Sequence, residues 1–161
     1  MNKVFIITGG NIGDRMKNLE TAEKMIEEQI GHIIQTSKIY ETEAWGINDQ
    51  PSFYNQVLIV ETNFSADKVI KKILKIEEDM GRVRTIKNAA RNIDIDILFF
   101  NDDIVNEENL TIPHPQMIKR RFVLMPLNEI ASAKNHPVYN KSVAQLLAEC
   151  KDELKVTPLP A

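Results

Sequence analysis

Disulfides, membrane spans and a basic surface are all missing from what this 161-residue chain can build. A single cysteine, Cys150, excludes an internal disulfide framework. It falls in a helical pattern with no neighbouring histidine and reads as a packing residue. No stretch approaches the ~20 apolar residues that a membrane span needs. The chain passes from Lys3 into a short apolar run without a cleavage pattern, so a cytoplasmic protein with no membrane partner is expected. Positive charge is not in excess either: 20 Lys and Arg stand against 23 Asp and Glu, for a net charge of −3 and a sequence pI near 5.7. That balance argues against nucleic acid as a partner and leaves room only for a local basic cluster. What is present is ordinary for a globular protein, 43% hydrophobic and 27% charged, enough for one domain over residues 1–161 with a sizeable core. Repeats and low-complexity linkers are absent.

Strand and helix signals alternate along the chain. Val4 to Thr8 reads as a buried strand, and Gly9-Gly10-Asn11-Ile12-Gly13-Asp14 as a turn ending in a helix N-cap. Leu19, Ala22, Met25, Ile26 and Ile30 then recur at helical spacing, with Gly31 as the stop. Two strands follow, about 32–41 and 53–62, around a loop with Trp45, Gly46 and Pro51. A second helix spans about 66–80, capped by Ser65 and ended by Gly81. With a strand from Ile93, the order is β-α-β-β-α-β, which predicts an α+β, ferredoxin-like antiparallel sheet with helices on one face and the other face open to ligands. Residues 103–161 read as a C-terminal α/β extension: a strand near 103–105, the turn Ile112-Pro113-His114-Pro115, and helices near 126–131 and 142–150.

The most informative stretch is Arg91-Asn92-Ile93-Asp94-Ile95-Asp96-Ile97-Leu98. At about 3.3 Å per residue, Asp94 and Asp96 share a strand face about 7 Å apart. Such a pair is either a solvated edge face or a site for a hard cation such as magnesium bridging to phosphates. Just before it, residues 81–91 carry Arg82, Arg84, Lys87 and Arg91 and no acid. Arginine forks match phosphate oxygens, and a position beside two acids suits a magnesium-polyphosphate complex; a solvated basic loop, which most such runs are, is the other reading and loses weight beside these acids.

Other positions keep two readings each. Glu77 falls on the inner side of its helix, where it would orient a loop arginine, contact a ligand or extend to water. His114, between two prolines, suits a phosphate hydrogen bond, a general acid or a packed turn. Arg120 and Phe122 follow it, and would converge with it on one wall of a cleft. Phe53 and Asn55 lie two apart on a strand and so share a face, as a plate and amide for a flat heterocycle or as core and cap.

Taken in order, these segments resemble the 6-hydroxymethyl-7,8-dihydropterin pyrophosphokinase family (2-amino-4-hydroxy-6-hydroxymethyldihydropteridine diphosphokinase). The resemblance runs from about Val4 to Ile130. It is carried by the glycine turn 9–14, Tyr40-Glu41-Thr42, Gln50-Pro51 with Asn55, Gly81-Arg82-Val83-Arg84, Arg91 with Ile93 to Leu98, and Ile112-Pro113-His114-Pro115 through Arg120-Arg121-Phe122 to Leu127. It implies transfer of pyrophosphate from ATP to the pterin alcohol, giving the pterin diphosphate and AMP in folate biosynthesis, with two magnesium ions and ATP as co-substrate. No nucleic acid or membrane takes part, and a monomer is expected.

Position by position, the resemblance implies that Asp94 and Asp96 hold magnesium. Phe53 and Phe122 sandwich the pterin, Thr42 and Asn55 bond its edge, and Glu43 and Trp45 complete that pocket. Glu77, Arg84, Ile97, Thr111, His114 and Arg120 surround ATP, while Arg82 and Arg91 act in catalysis from the loop. Three departures touch loop closure and nucleotide contacts: Glu43 replaces a common proline, Asn88-Ala89-Ala90 replaces Trp-Gly-Pro in a loop one residue short, and Asn109 replaces an arginine of some members. A catalytically weak or silent pterin- or nucleotide-binding paralogue is the alternative reading of these changes.

Overall fold

The run Asn2–Gly10 forms β1, and its near-continuous apolar stretch is what a strand buried on both faces requires. In the computed structural model, which describes residues 1–43, 51–82 and 92–160, β1 pairs antiparallel with β4 (Phe53–Thr62) on one side and β5 (Asp94–Phe100) on the other. Next to β4 lie β2 (His32–Thr36) and β3 (Tyr40–Thr42), and β8 (Val156–Pro158) adds to the free edge of β3. The described sheet thus runs β5-β1-β4-β3-β8, with β2 also on β4. This is the expected β-α-β-β-α-β order, extended by a tail strand.

The sequence pattern suggested one strand over 32–41, but the structure breaks it after Thr36. Ser37 takes over the partner there: its Oγ accepts the Val57 N–H at 2.9 Å and donates to its neighbour's carbonyl, Lys38 O, at 2.6 Å. A hydroxyl that can bond the local backbone offers the chain an alternative to the ladder.

Helix α1 (Arg15–Gln29) is capped by the Asp14 carboxylate on the Lys17 N–H, and α2 (Ala66–Asp79) by Ser65 on the Lys68 N–H. Both pack on one face of the sheet, where Leu19, Ala22 and Ile26 meet Val69, Ile73 and Ile76 over Val4, Ile6, Leu58 and Val60. The other face is only partly open. Phe5, Ile7, Val57 and Ile59 are covered there by α3 (Arg121–Ala131) and α4 (Val143–Glu149), together with Met117 from a 3-10 turn. A ribbon of β6 (Val105–Glu107) and β7 (Leu110–Ile112) lies outside the main sheet.

Helix α3 begins five residues before the expected start at Pro126. A proline suits the first turn, yet here it lies inside and withholds an N–H from the Phe122 carbonyl, four residues back. Burial of Val123, Leu124 and Leu127 outweighs that loss. Replacing fully buried Ile73 with alanine should lower the unfolding free energy by about 3 kcal/mol in urea titrations, while a drop under about 1 kcal/mol would mean the α2 face is not tightly packed.

Candidate functional site

Alternation along β5 turns Asp94, Asp96 and Leu98 into one cleft, lined also by Thr42, Phe53, Asn55, His114, Arg120 and Phe122. The cleft lies on the sheet face that α3 covers in part. One end is acidic. Asp94 accepts a bond from Arg82 Nη1 at 2.6 Å, and the same nitrogen donates to Glu77 at 2.5 Å. Glu77 is 2% exposed and also accepts the Ile95 N–H at 2.8 Å, so it orients the arginine and the start of β5. Burial pulls the Arg82 pKa down, but Asp94 and Glu77 more than offset this and hold it above the usual range. The position of Arg82 follows from Gly81, whose φ of 83° lets the chain leave α2 and turn back.

Asp96 is a half-buried carboxyl whose pKa is pushed up to about 7, first by burial and then by the negative charges of Asp94 and Glu77. Two crowded carboxyls with too little counter-charge fit a divalent cation. Asp94 and Asp96 are the residues here that could hold such an ion, its remaining positions filled by water or ligand oxygens.

His114 is held by its backbone, donating its N–H to Leu98 O at 3.0 Å, and by its ring, whose Nδ1 accepts the Gln116 N–H at 3.1 Å. A backbone nitrogen only donates, so the ring proton sits on Nε2. Burial and the charge of Arg120 push the His114 pKa down to about 4. The neutral ring thus presents a hydrogen-bond donor at Nε2. The Arg120 guanidinium lies 5.7 Å from the Phe122 ring centre, so this cation and this aromatic do share a wall.

The far end is built for something flat. Phe53 comes from β4 and Phe122 from α3, so aromatic faces reach the cleft from two layers. Two buried oxygens there, Thr42 Oγ1 and Asn55 Oδ1, have no hydrogen-bond partner among the described residues. Asn55 donates from Nδ2 to Thr8 O at 3.4 Å, a fit that depends on Gly9, since a Cβ there would fall on the Asn55 amide. Glu43 lines the rim and is exposed. Arg15 anchors the approach to Phe53: it donates to Ser52 O at 2.9 Å and Ser52 Oγ at 2.7 Å, and stacks 3.9 Å from the centre of Tyr54.

Two expected residues stand away from the cleft. Ile97 points into the core beneath α1 and α2 and is 4% exposed, so only its backbone is left for a ligand. Thr111 is exposed on the β6-β7 ribbon. Trp45, Arg84 and Arg91 lie outside the described residues. Sequence reasoning missed Ile7, Thr8, Val123 and Leu154, which line the cleft as well. Alternation could have found Ile7, and the i+3 step from Arg120 could have found Val123; nothing local marks Leu154.

The His114 environment sets a pH test. The unfolded chain binds a proton near pH 6.5 that the folded ring refuses until about pH 4, so stability is intact above that window and falls within it as pH is lowered. In urea unfolding, His114→Asn should remove up to about 1 kcal/mol per pH unit of this loss relative to wild type. Parallel curves for the two proteins would show that the ring is not held neutral.

Comparisons with known proteins converge on one family. A family model described as 7,8-dihydro-6-hydroxymethylpterin-pyrophosphokinase matches residues 5–132. A 2-amino-4-hydroxy-6-hydroxymethyldihydropteridine pyrophosphokinase of Aquifex aeolicus is 36% identical over 149 residues, 92% of each chain. A folic acid synthesis protein of Pneumocystis carinii is 39% identical over 150 residues, 92% of this chain but 20% of that protein, and one of Dictyostelium discoideum is 42% identical over 84% of this chain and 20% of its own length. The chain thus spans about a fifth of those two relatives. Among solved structures, the wild-type HPPK-DHPS of Plasmodium falciparum with pteroate superposes with a TM-score of 0.76 at 22% identity, over 92% of this chain and 42% of that one, which speaks to the fold alone. The match over residues 5–132 and the full-length similarity to the Aquifex protein place this chain in the 7,8-dihydro-6-hydroxymethylpterin-pyrophosphokinase family.

Proposed function

We propose that this chain transfers a pyrophosphoryl group from ATP to 6-hydroxymethyl-7,8-dihydropterin, releasing AMP and the pterin diphosphate, as a step of folate biosynthesis carried out in the cytoplasm by a monomer. Residues 1–161 act as one domain, since the tail strand β8 pairs into the same sheet as β1. The observation that carries the reading is the polarity of the cleft. Unpartnered Thr42 and Asn55 oxygens sit near aromatic rings at one end, and paired carboxyls with a neutral histidine and an arginine sit at the other. A buried oxygen without a partner costs about 1–3 kcal/mol, and the amino and ring N–H groups of a pterin edge would relieve both.

Each described residue then has a task. Asp94 and Asp96 would hold magnesium, which when bound neutralises triphosphate charge and makes the attacking hydroxyl easier to deprotonate. Arg120 and the Nε2–H of His114 bind phosphate oxygens from the facing wall. Phe53, Phe122, Thr42 and Asn55 hold the ring so that its hydroxymethyl oxygen meets the β-phosphorus, the positioning that makes an intermolecular displacement behave as an intramolecular one. Arg82 sits beside the carboxyl pair, already oriented by Glu77, to stabilise charge as AMP leaves; the family resemblance assigns Arg91 to catalysis with it, Arg84 to ATP and Trp45 to the pterin pocket. The shared position of Arg82 between Glu77 and Asp94 supports an active enzyme over a silent paralogue, because the catalytic cation is held in place before any ligand arrives.

Incubation with ATP, magnesium and the pterin alcohol should yield AMP and pterin diphosphate in equal amounts; no AMP rejects the activity. Asp94→Ala and Asp96→Ala should each lower transfer by about a thousandfold or more while the far-ultraviolet circular dichroism stays unchanged. Retained transfer in either variant would remove that residue from the metal site. Gly9→Ala should raise the KM for the pterin about tenfold by displacing the Asn55 amide, with the KM for ATP unchanged.

A further inference from the structure

Leu154 lines the cleft although it lies beyond residues 5–132, the part of the chain that the family model matches. It is the one apolar side chain in Lys151-Asp152-Glu153-Leu154-Lys155, and it is half-buried while Lys151, Glu153 and Lys155 are exposed. Its place is set from two directions. Downstream, β8 pairs with β3 in the register Thr42↔Val156, and the Leu159 N–H donates to Ile39 O at 2.8 Å, so the tail runs beside Thr42. Upstream, Asp152 spends one oxygen on each of two backbone groups: Oδ2 accepts the Arg121 N–H at 2.9 Å, and Oδ1 accepts the Leu154 N–H at 3.0 Å. Arg121 opens α3, and Arg120 before it makes no side-chain cap bond, so Asp152 supplies that cap from 31 residues away. A single carboxylate thus ties the first turn of the helix that carries Phe122 to the residue that carries Leu154.

The sheet order places this contact at the ring end. Asp94 and Asp96 stand on β5 and the tail strand is four steps across the sheet, about 19 Å at the usual strand spacing. Thr42 and Phe122 line the same cleft as Leu154, and β3, which carries Thr42, pairs with the strand that follows Leu154.

We propose that the C-terminal tail completes the heterocycle subsite, with Leu154 as an apolar wall against the bound ring and Asp152 as the positioning residue that locks Leu154 and the start of α3 together. This inference rests on the pyrophosphokinase reading for the identity of the ring. Leu154→Ala in the full chain should raise the KM for 6-hydroxymethyl-7,8-dihydropterin about tenfold, with kcat and the KM for ATP within about twofold of wild type. Leu154→Met, of similar volume, should restore most of the loss. Asp152→Ala should show the same split, and Asp152→Asn, with one acceptor oxygen in place of two, should fall between. An unchanged pterin KM in Leu154→Ala, or an equal rise in the KM for ATP, overturns the proposal. Should Asp152→Ala fail to fold, the two Leu154 variants decide the question alone. If wild type forms no AMP, the pyrophosphokinase reading fails, and calorimetric titration of the pterin into wild type and Leu154→Ala still tests the wall: equal affinities reject it, and a weaker variant supports it.

Discussion

An ionised carboxylate with 2% of its surface exposed must be given donors, and Glu77 obtains them from two parts of the chain that would otherwise be independent. The Ile95 N–H ties it to the start of β5; the Arg82 guanidinium ties it to the segment that leaves α2. Because Arg82 also reaches Asp94, one buried charge fixes the distance between helix and strand and aims the first metal-binding candidate at the same time. Removing Glu77 would take from Arg82 one of its two counter-ions among the described residues and from the Ile95 amide its side-chain acceptor. Much of the acidic end is therefore a consequence of satisfying one interior charge.

The rest of the cleft is assembled from separate layers. β3, β4 and β5 contribute Thr42, Phe53, Asn55, Asp94 and Asp96 from one sheet, in which the registers of β4 and β5 with β1 are fixed by burial on both faces. The turn at His114 and the helix α3 lay Arg120 and Phe122 over them. Side chains on strands and helices hold position better than those on loops, which suits a reaction that depends on alignment.

How much of this was legible beforehand follows from the range of the forces involved. Strict alternation in Asp94, Asp96 and Leu98 sets their common face whatever surrounds them, and helical spacing does the same for Leu19, Ala22 and Ile26. The spans 32–41 and 126–131 differ for the opposite reason: a bond from Val57 to the Ser37 hydroxyl interrupts the strand pattern in one case, and core burial carries the helix across Pro126 in the other. The covering of the second sheet face by α3 and α4, and the return of the tail to β3, are decided by contacts between residues far apart in the chain. Glu77 shows the intermediate case. Its burial was readable from spacing, while its pairing with Arg82 depended on where Gly81 sends the backbone.

The bond from the Gln116 amide to His114 Nδ1 has an electrical consequence. With that nitrogen committed as an acceptor, the imidazole is a fixed dipole and carries no charge across the neutral range. Positive potential on that wall comes from the Arg120 guanidinium. The opposite wall is different, since burial and the charges of Asp94 and Glu77 push the Asp96 pKa up. The two sides of the cleft thus differ in kind: one presents a fixed dipole and a cation, and the other a pair of crowded carboxyls.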